Sequence, residues 1–286
     1  MLRLIVGRLF GGVVVVFCVA TFAFFLLRAA PGGPFDDERR LQPEIQKNVE
    51  ERYNLNAPLI EQYGLYLKGL VTGDLGHSMK RVQTVNEIIA DTFPRSITLG
   101  VLALLFATIC GVTLGVVAAS RQNSGVDYAS MAVALLGISL PAFVLGPMLI
   151  MLFSLKLGIL PPARLEGFIS YILPALTLGM IYMGVIARLA RSGLLETLRQ
   201  DYIRTARAKG LSERTVLWKH AVRLGLMPVV TYLGPAMAAL ITGSFVVEKI
   251  FQIPGLGYFF VDSVTSRDYP VLTGLLVFYV GFLVLF

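Results

Sequence analysis

Six long runs of apolar residues constrain the fold of this chain more than any other feature of its sequence. They cover residues 9–27, 97–119, 128–155, 168–187, 229–247 and 271–286. An α-helix of about 20 apolar residues crosses the roughly 30 Å hydrocarbon core of a bilayer. Lipid offers backbone groups no hydrogen-bonding partner, and the runs lack the alternating pattern of a membrane β-barrel. The sequence therefore predicts an all-α, polytopic membrane protein with six transmembrane helices.

The composition supports this class. Hydrophobic residues make up 56% of the chain and charged residues 15%, whereas about a quarter of the residues of a soluble domain are charged. The last run has only sixteen residues, which is short for a full crossing. We therefore expect the natural chain to continue beyond residue 286.

The distribution of charge predicts the orientation. Residues 188–223 hold nine Lys and Arg against three acidic residues, and Arg3 and Arg8 precede the first run. Residues 36–95 hold ten acidic and eight basic residues. Short basic segments stay in the cytoplasm, so the N-terminus and the central loop are predicted to be cytoplasmic, with residues 36–95 outside. The net charge of +7 is then a topology signal and does not indicate nucleic-acid binding.

The external region contains three predicted helices. Apolar residues at helical spacing predict the first at Ile45, Val49 and Tyr53, and the second at Leu59, Tyr63, Leu67 and Leu70. Thr84 and Glu87 match a capping box, which predicts a third helix leading to the second run. These helices pack on the outer ends of the spans, contact a partner protein, or do both.

The central loop is predicted to form a helix, a break at a glycine and a second helix. Leu194, Leu198 and Tyr202 give the first helix an apolar stripe. Gly210 is able to take the left-handed conformation that ends a helix, and Ser212 is a natural cap for the next one. Cationic residues cluster at this bend, which predicts a docking surface outside the membrane.

This stretch, Thr205-Ala206-Arg207-Ala208-Lys209-Gly210, resembles the "EAA" loop of permease subunits in binding-protein-dependent ABC importers. The first permease of oligopeptide and dipeptide importers is the most similar branch. The resemblance extends over nearly the whole chain. It includes the segment 28–32 (Arg-Ala-Ala-Pro-Gly), the Gly255-Leu256-Gly257 turn and the segment 267–270 (Arg-Asp-Tyr-Pro).

The resemblance implies a type I ABC importer permease fold in a bacterial inner membrane. Residues 1–28 would form the N-terminal transmembrane helix, 29–95 a periplasmic helical region, and 96–286 a core of five transmembrane helices with a coupling loop at 188–228. In this family the coupling loop sits in a cleft of a separate ATPase subunit. The residues implied to do so are Arg204, Thr205, Ala206, Arg207, Ala208, Lys209, Gly210 and Leu211.

The resemblance also implies partners. They are a second homologous permease, one or two kinds of ATPase subunit that bind ATP and Mg, a periplasmic substrate-binding protein, and a peptide substrate, with oligopeptides favoured. Related importers carry metal chelates or sugars, so a non-peptide solute remains an alternative.

Two groups of residues are candidates for the transport pathway. Prolines and hydroxyls at membrane depth either line a pathway or serve local packing; these candidates are Ser139, Pro141, Thr242 and Ser244. Residues 251–260 are too apolar for a solvated loop, and we expect them to be buried against the helices. The outer gate, or the contact with the binding protein, is assigned to Phe251, Gly255, Gly257, Phe260, Arg267 and Asp268.

Missing motifs limit the mechanism. The sequence has no Gly-x-x-x-x-Gly-Lys-Ser/Thr phosphate-binding loop, no metal-ligand spacing and no nucleophile–base arrangement. We therefore expect a chain that is not itself an enzyme and holds no cofactor. An ion-gradient-driven carrier is the alternative, but such carriers place charged groups at membrane depth, and the six runs contain no Asp, Glu, Lys or Arg. A scaffold would leave the docking loop without a purpose.

Overall fold

The computed structural model describes residues 2–29, 57–242 and 244–285, and within these ranges the regular structure is helical. The one exception is an isolated antiparallel bridge between His77 and Thr84. The all-α class is confirmed. The predicted external helix around Ile45, Val49 and Tyr53 lies outside the described residues.

The helices follow one another with short connections. The first five are α1 (Leu2–Ala29), α2 (Leu59–Thr72), α3 (Val85–Ser120), α4 (Gly125–Ser139) and α5 (Ala142–Leu149). A π-helix, Ile150–Lys156, continues α5, and a 3-10 turn, Phe168–Tyr171, leads into α6 (Ile172–Leu198). Next come α7 (Asp201–Ala208), α8 (Glu213–Thr215), a π-helix (Val216–Ala221) and α9 (Val222–Gly225). The chain closes with α10 (Met227–Ile241), α11 (Phe245–Ile250), α12 (Leu256–Thr265) and α13 (Tyr269–Leu285).

The described residues of each of the six predicted runs lie mainly on helices. Four helical stretches are long and apolar enough to cross a membrane: Val6–Ala29, Val85–Ser120, Phe168–Leu198 and Met227–Ile250. A fifth span is formed by Gly125–Ser139 and Ala142–Lys156 if this pair, bent by 107°, is taken as one crossing. The shorter apolar helix Tyr269–Val284 carries the sixth run. The arrangement is compatible with six spans.

The bend in the third run follows from its proline. Pro141 has no backbone N–H and disfavours helical geometry in the residue before it. Leu140 accordingly takes an extended conformation, and α5 starts again after Pro141.

The chain forms two compact units. Of the described residues, the first unit comprises 2–29, 57–94 and 258–285, and the second comprises 95–242 and 244–257. In the first unit α1 packs along α13. Gly12 permits this approach, since a methyl group there would collide with Val284. The Phe24 ring lies 5.3 Å from the ring of Tyr66 in α2, so α2 is held against α1 by aromatic contacts.

In the second unit the helices pack around α6. Glycines allow backbones to approach closely: an added Cβ at Gly111 would lie 2.7 Å from the Met183 carbonyl oxygen, and one at Gly115 would lie 2.6 Å from that of Ala187. At Gly184 it would collide with the Ala134 carbonyl oxygen. Small residues at such crossings are the usual means of close helix packing in membranes.

Two helix boundaries differ from the sequence prediction. The capping box is present, with Thr84 N donating to Glu87 Oε2 (2.8 Å) and Glu87 N donating to Thr84 Oγ1 (3.1 Å). However, it opens the second span itself, because α3 runs without a break to Ser120. The predicted stripe ending at Tyr202 was wrong, because α6 ends at Leu198 and Gln200 takes an extended conformation before a new helix begins.

Candidate coupling site and outer loop

The candidate coupling site is a helical hairpin formed by residues 201–225, which we call the coupling hairpin. Its bend has the predicted chemistry: Gly210 has φ +79°, and the Ser212 side chain accepts a hydrogen bond from Thr215 N at 3.4 Å. Gly210 N donates to the Arg207 carbonyl oxygen at 2.9 Å, which closes the turn after α7. Both the glycine break and the serine cap are confirmed.

The base of the coupling hairpin is anchored in a hydrophobic core. Ile203, Val216 and Ala221 are completely buried, and Ala206 is 6% exposed. They share one cluster with Val116 and Ala119 at the end of α3 and with Leu194 of α6. The hairpin is therefore part of the folded unit and packs against the ends of two candidate spans.

The bend of the coupling hairpin faces solvent. Of the eight residues assigned to coupling, seven are exposed: Arg204, Thr205, Arg207, Ala208, Lys209, Gly210 and Leu211. Ala206 is the one that the structure places inside the core, where its small side chain lets α7 pack closely. A partner would thus meet two small residues and several cations at this bend.

An ion pair closes the bend from within the chain. Arg207 Nε and Nη2 donate to the two carboxylate oxygens of Glu213 at 2.8 and 3.1 Å. Hydrogen bonds from the Arg207 guanidinium lower the pKa of Glu213, and the same pair raises the pKa of Arg207. Because the side chains of Arg207 and Glu213 are 41% and 72% exposed, the pair contributes less than about 1 kcal/mol to stability.

A buried ion pair joins α4 to α6. Arg191 Nε and Nη2 each lie 2.7 Å from an oxygen of Asp127, whose side chain is 2% exposed. Asp127 also accepts a hydrogen bond from Asn123 N at 3.0 Å. Sequence reasoning used Arg191 only as a topology signal and overlooked Asp127. The available signal was a single carboxylate at the start of an apolar run, where a charge needs a partner.

The candidate lining residues fall around two helix breaks in the second unit. Ser139 and Pro141 are exposed at the bend between α4 and α5. Thr242 donates to the carbonyl oxygens of Ala238 (3.1 Å) and Ala239 (3.0 Å), and Ser244 caps α11 by accepting from Val247 N. The helices that follow the two breaks, α5 and α11, pack against each other.

Residues 251–257 form a tightly held connection that we call the outer loop. Phe251 is 1% exposed, and Gly255 and Gly257 are buried. The Phe251 carbonyl accepts from Arg164 N at 2.9 Å, and the Pro254 carbonyl accepts from Arg95 Nη1 at 3.1 Å. The burial predicted for this apolar segment is confirmed for these residues.

A buried carboxylate lies beneath the outer loop. Glu248 is completely buried, and its Oε1 accepts from Ser96 Oγ at 2.9 Å, while Ser96 Oγ accepts from Leu256 N at 2.9 Å. An added Cβ at Gly255 would lie 2.5 Å from Glu248 Oε2, so a glycine is needed there. Glu248 falls in the candidate span Met227–Ile250. Sequence reasoning placed it just outside an apolar run, and so missed an ionisable group buried at a span end.

The other three outer-gate candidates lie in the first unit. Asp268 is 3% exposed, and its side chain accepts hydrogen bonds from Ser78 Oγ and, at 3.1 Å, from Met79 N. Phe260 packs its ring edge to face with Tyr279 at 5.9 Å. Arg267 has φ +55°, in the left-handed region between α12 and α13. Within the described ranges no three His, Cys, Asp or Glu side chains come together as a metal site would require.

Apolar spans with an anchored hairpin between them are the features of an all-helical integral membrane protein. A chain of the MetNI methionine ABC transporter, solved in inward-facing conformations, has the same fold. The TM-score is 0.51 at 19% sequence identity, covering 68% of this chain and 91% of that one. The type I ABC importer permease fold is thereby confirmed.

The sequence identifies the family. Residues 111–286 match the family described as "binding-protein-dependent transport system inner membrane component", and residues 1–100 match the N-terminal part of such components. The chain belongs to this family and is an integral inner membrane protein. It is 46% identical over 280 residues to the dipeptide transport system permease protein of Bacillus subtilis, covering 98% of this chain and 91% of that protein. It is also 46% identical over 278 residues to the oligopeptide transport system permease protein of Haemophilus influenzae, covering 96% and 91%. The resemblance seen in the sequence is confirmed.

Proposed function

We propose that this chain is the first of two permease subunits in an ATP-driven peptide importer. The observation that carries the proposal is the coupling hairpin, which has an exposed small-residue bend at Ala208 and Gly210 and a base buried against α3 and α6. The chain supplies the pathway and the docking surface, and partner subunits bind and hydrolyse ATP with Mg.

The coupling hairpin suits this task mechanically. A partner that grips residues 204–211 displaces a segment whose buried side chains belong to the same core as the ends of α3 and α6. The ion pair between Asp127 and Arg191 extends the connection to α4. Movement at the bend therefore reaches three helices of the second unit.

The orientation follows from charge. With nine basic and three acidic residues in 188–223, the coupling hairpin and the N-terminus lie in the cytoplasm. Single cysteines at Val82 and at Lys209, in a background without Cys18 and Cys110, report the sidedness. Val82 is fully exposed and Lys209 is exposed as well. An impermeant reagent added to intact spheroplasts is expected to label only the first; labelling of both positions contradicts the topology.

The substrate class rests on the relatives, which are named as dipeptide and oligopeptide permeases. A periplasmic binding protein would deliver the peptide to a pathway formed with the second permease. The proposed lining residues are Ser139, Pro141, Thr242 and Ser244. The candidates for the outer gate or for the contact with the binding protein are Phe251, Gly255, Gly257, Phe260, Arg267 and Asp268.

The decisive experiment is uptake by the reconstituted complex of both permeases, the ATPase subunits and the binding protein. ATP-dependent, vanadate-sensitive accumulation of a labelled oligopeptide is expected, unaffected by ionophores that collapse ion gradients. Loss of uptake with ionophores and persistence without ATP would instead support an ion-driven carrier, for which the buried Glu248 is the candidate ion-binding group. Competition by a metal chelate but by no peptide would refute the substrate class.

A further inference from the structure

A groove beside the coupling hairpin has a lining to which the proposed function assigns no ligand. It has a volume of about 610 Å³ and is lined by the ends of α3 and α6, by Arg207 of the first half of the coupling hairpin and by residues of its second half. We call it the basic groove. The residues that matter are Ser120, Leu198, Arg199, Arg214, Leu217 and Trp218.

The basic groove carries excess positive charge. Its lining contains three arginines and one carboxylate, Glu213, which is already engaged by Arg207. The side chains of Arg199 and Arg214 are exposed. Within the described part of the chain, neither guanidinium has a hydrogen bond or ion pair. Two uncompensated guanidinium groups lining one concave surface form a site for an anion, and arginine suits phosphate oxygens in particular.

The walls of the basic groove are apolar. Leu195, Leu198 and Leu217 line it and are only partly buried. Trp218, the single tryptophan of the sequence, is 59% exposed beside them. A small hydrated anion makes no favourable contact with such apolar walls. A ligand with an anionic head and a hydrocarbon body matches both features.

The depth of the basic groove points to the membrane surface. Ser120 is the last residue of the candidate span Val85–Ser120, and Leu198 is the last residue of Phe168–Leu198. Ser120 directly follows the apolar run that ends at residue 119, and from this we infer that the groove opens near the headgroup layer at the end of α3. Tryptophan is enriched at that level, and basic pockets on the cytoplasmic side of membrane proteins bind lipid headgroups.

We propose that the basic groove binds the phosphodiester headgroup of an anionic phospholipid of the cytoplasmic leaflet. Arg199 and Arg214 hold the phosphate, and Trp218 and the leucines contact the glycerol and upper acyl region. The bound lipid contacts both the end of α6 and the second half of the coupling hairpin. It thereby stabilises the position of the hairpin at the membrane surface. The proposal rests on the cytoplasmic orientation proposed above.

The test compares lipid binding by matched variants of the whole complex. The first variant, which we call the groove pair, combines Arg199→Gln and Arg214→Gln and so removes both unpaired guanidinium groups from the basic groove. The second variant, which we call the control pair, combines Lys219→Gln and Arg223→Gln. It removes the same charge from exposed positions of the same hairpin that lie outside the groove. Each complex is placed in nanodiscs of phosphatidylcholine with or without phosphatidylglycerol. Retained phosphatidylglycerol is measured by native mass spectrometry, and ATPase stimulation by peptide-loaded binding protein is measured in parallel.

The wild type and the control pair are expected to retain phosphatidylglycerol and to show higher ATPase stimulation when it is present. The groove pair is expected to bind it at least roughly tenfold more weakly, the change that 1.4 kcal/mol corresponds to and the least expected from losing charge-assisted hydrogen bonds to phosphate. Added phosphatidylglycerol is expected no longer to raise the ATPase stimulation of the groove pair above the level that this variant shows in phosphatidylcholine alone.

Two results overturn the proposal. If the groove pair retains as much phosphatidylglycerol as the wild type, the basic groove is not a lipid site. Loss of the ATPase subunits from the groove pair in phosphatidylcholine alone shows that the groove contacts protein instead. If the double variant does not assemble, Arg199→Gln and Arg214→Gln are measured singly, and each must retain less lipid than the wild type. Peptide uptake by the wild-type complex is a separate readout, so failure of the lipid site leaves the proposed function standing.

Discussion

Substitution of Gly210 tests whether the shape of the coupling hairpin controls docking. An added Cβ at Gly210 meets nothing within 4 Å, while φ is +79°. A side chain there therefore causes no collision within this chain, and its cost is backbone strain alone. The left-handed conformation costs a residue with a Cβ about 1–2 kcal/mol, except for asparagine, which tolerates it. Since 1.4 kcal/mol is a factor of ten, Gly210→Ala is expected to weaken ATPase binding by roughly 5- to 30-fold if docking requires the bend. Gly210→Asn should lie nearer to wild type and Gly210→Val below alanine, because a β-branched residue resists positive φ most.

The structure supplies a matched control at Gly73. It ends α2 with φ +77° and also has nothing within 4 Å of an added Cβ, but it lies in the first unit. Gly73→Ala and Gly73→Val impose the same local strain far along the chain from the coupling hairpin. The assay is the dissociation constant of the ATPase subunits from the permease pair in nanodiscs, together with peptide uptake. Wild-type affinity and uptake for both Gly210→Ala and Gly210→Val, at normal membrane levels, would refute the reasoning. Equal losses for the Gly73 variants would assign the effect to general instability.

Four further outcomes are expected. Asp127→Ala leaves the Arg191 guanidinium without its carboxylate and should lower the stability of the fold by up to about 3 kcal/mol, measured as a lower melting temperature of the purified complex. The double variant with Arg191→Ala should recover part of that stability, and strictly additive losses would argue against the pair. Glu248→Gln keeps an acceptor for the Ser96 hydroxyl and should melt near the wild type, whereas Glu248→Ala should melt lower; a well-folded Gln variant without uptake would mean that the charge itself is needed. Gly184→Ala should cost about 1–3 kcal/mol by overpacking α4 against α6, with Gly125→Ala, where the added methyl group meets nothing, as the neutral comparison in a membrane-level assay. For Glu213 the folded pKa is lowered from 4.5, so the small stabilisation by its pair with Arg207 is present above pH 4.5 and is lost as the pH falls through the lower folded value; Glu213→Gln should remove that dependence from melting curves, and an unchanged curve would show that the pair contributes nothing.

Several features of the candidate site were predictable because they depend on neighbouring residues. The turn at Gly210 and the cap at Ser212 involve groups within a few positions, and so does the capping box of Thr84 and Glu87. Helix length and apolarity likewise predict where spans lie, since each helix satisfies its own backbone hydrogen bonds in lipid. These local rules hold before any packing is known.

Other features required the packed structure. The sequence contains no sign that Ser96 meets Glu248 across 152 positions, or that Arg191 meets Asp127 across 64. Ala206 looked like part of the docking surface by its motif, but the packing of α7 turns its side chain into the core. Which faces of helices meet depends on the whole set of side chains at each crossing, so no local pattern specifies such pairs.

The sequence by itself determined that this chain is an all-helical membrane protein with a basic, glycine-broken loop, because hydrophobic length, charge bias and turn chemistry act locally. Only the tertiary structure decided that the loop is anchored on α3 and α6, that a buried carboxylate holds the outer loop, and that Arg199, Arg214 and Trp218 line one groove. The physical reason is that helix packing brings distant residues together. Burial then makes each unpaired charge costly enough to require a specific partner.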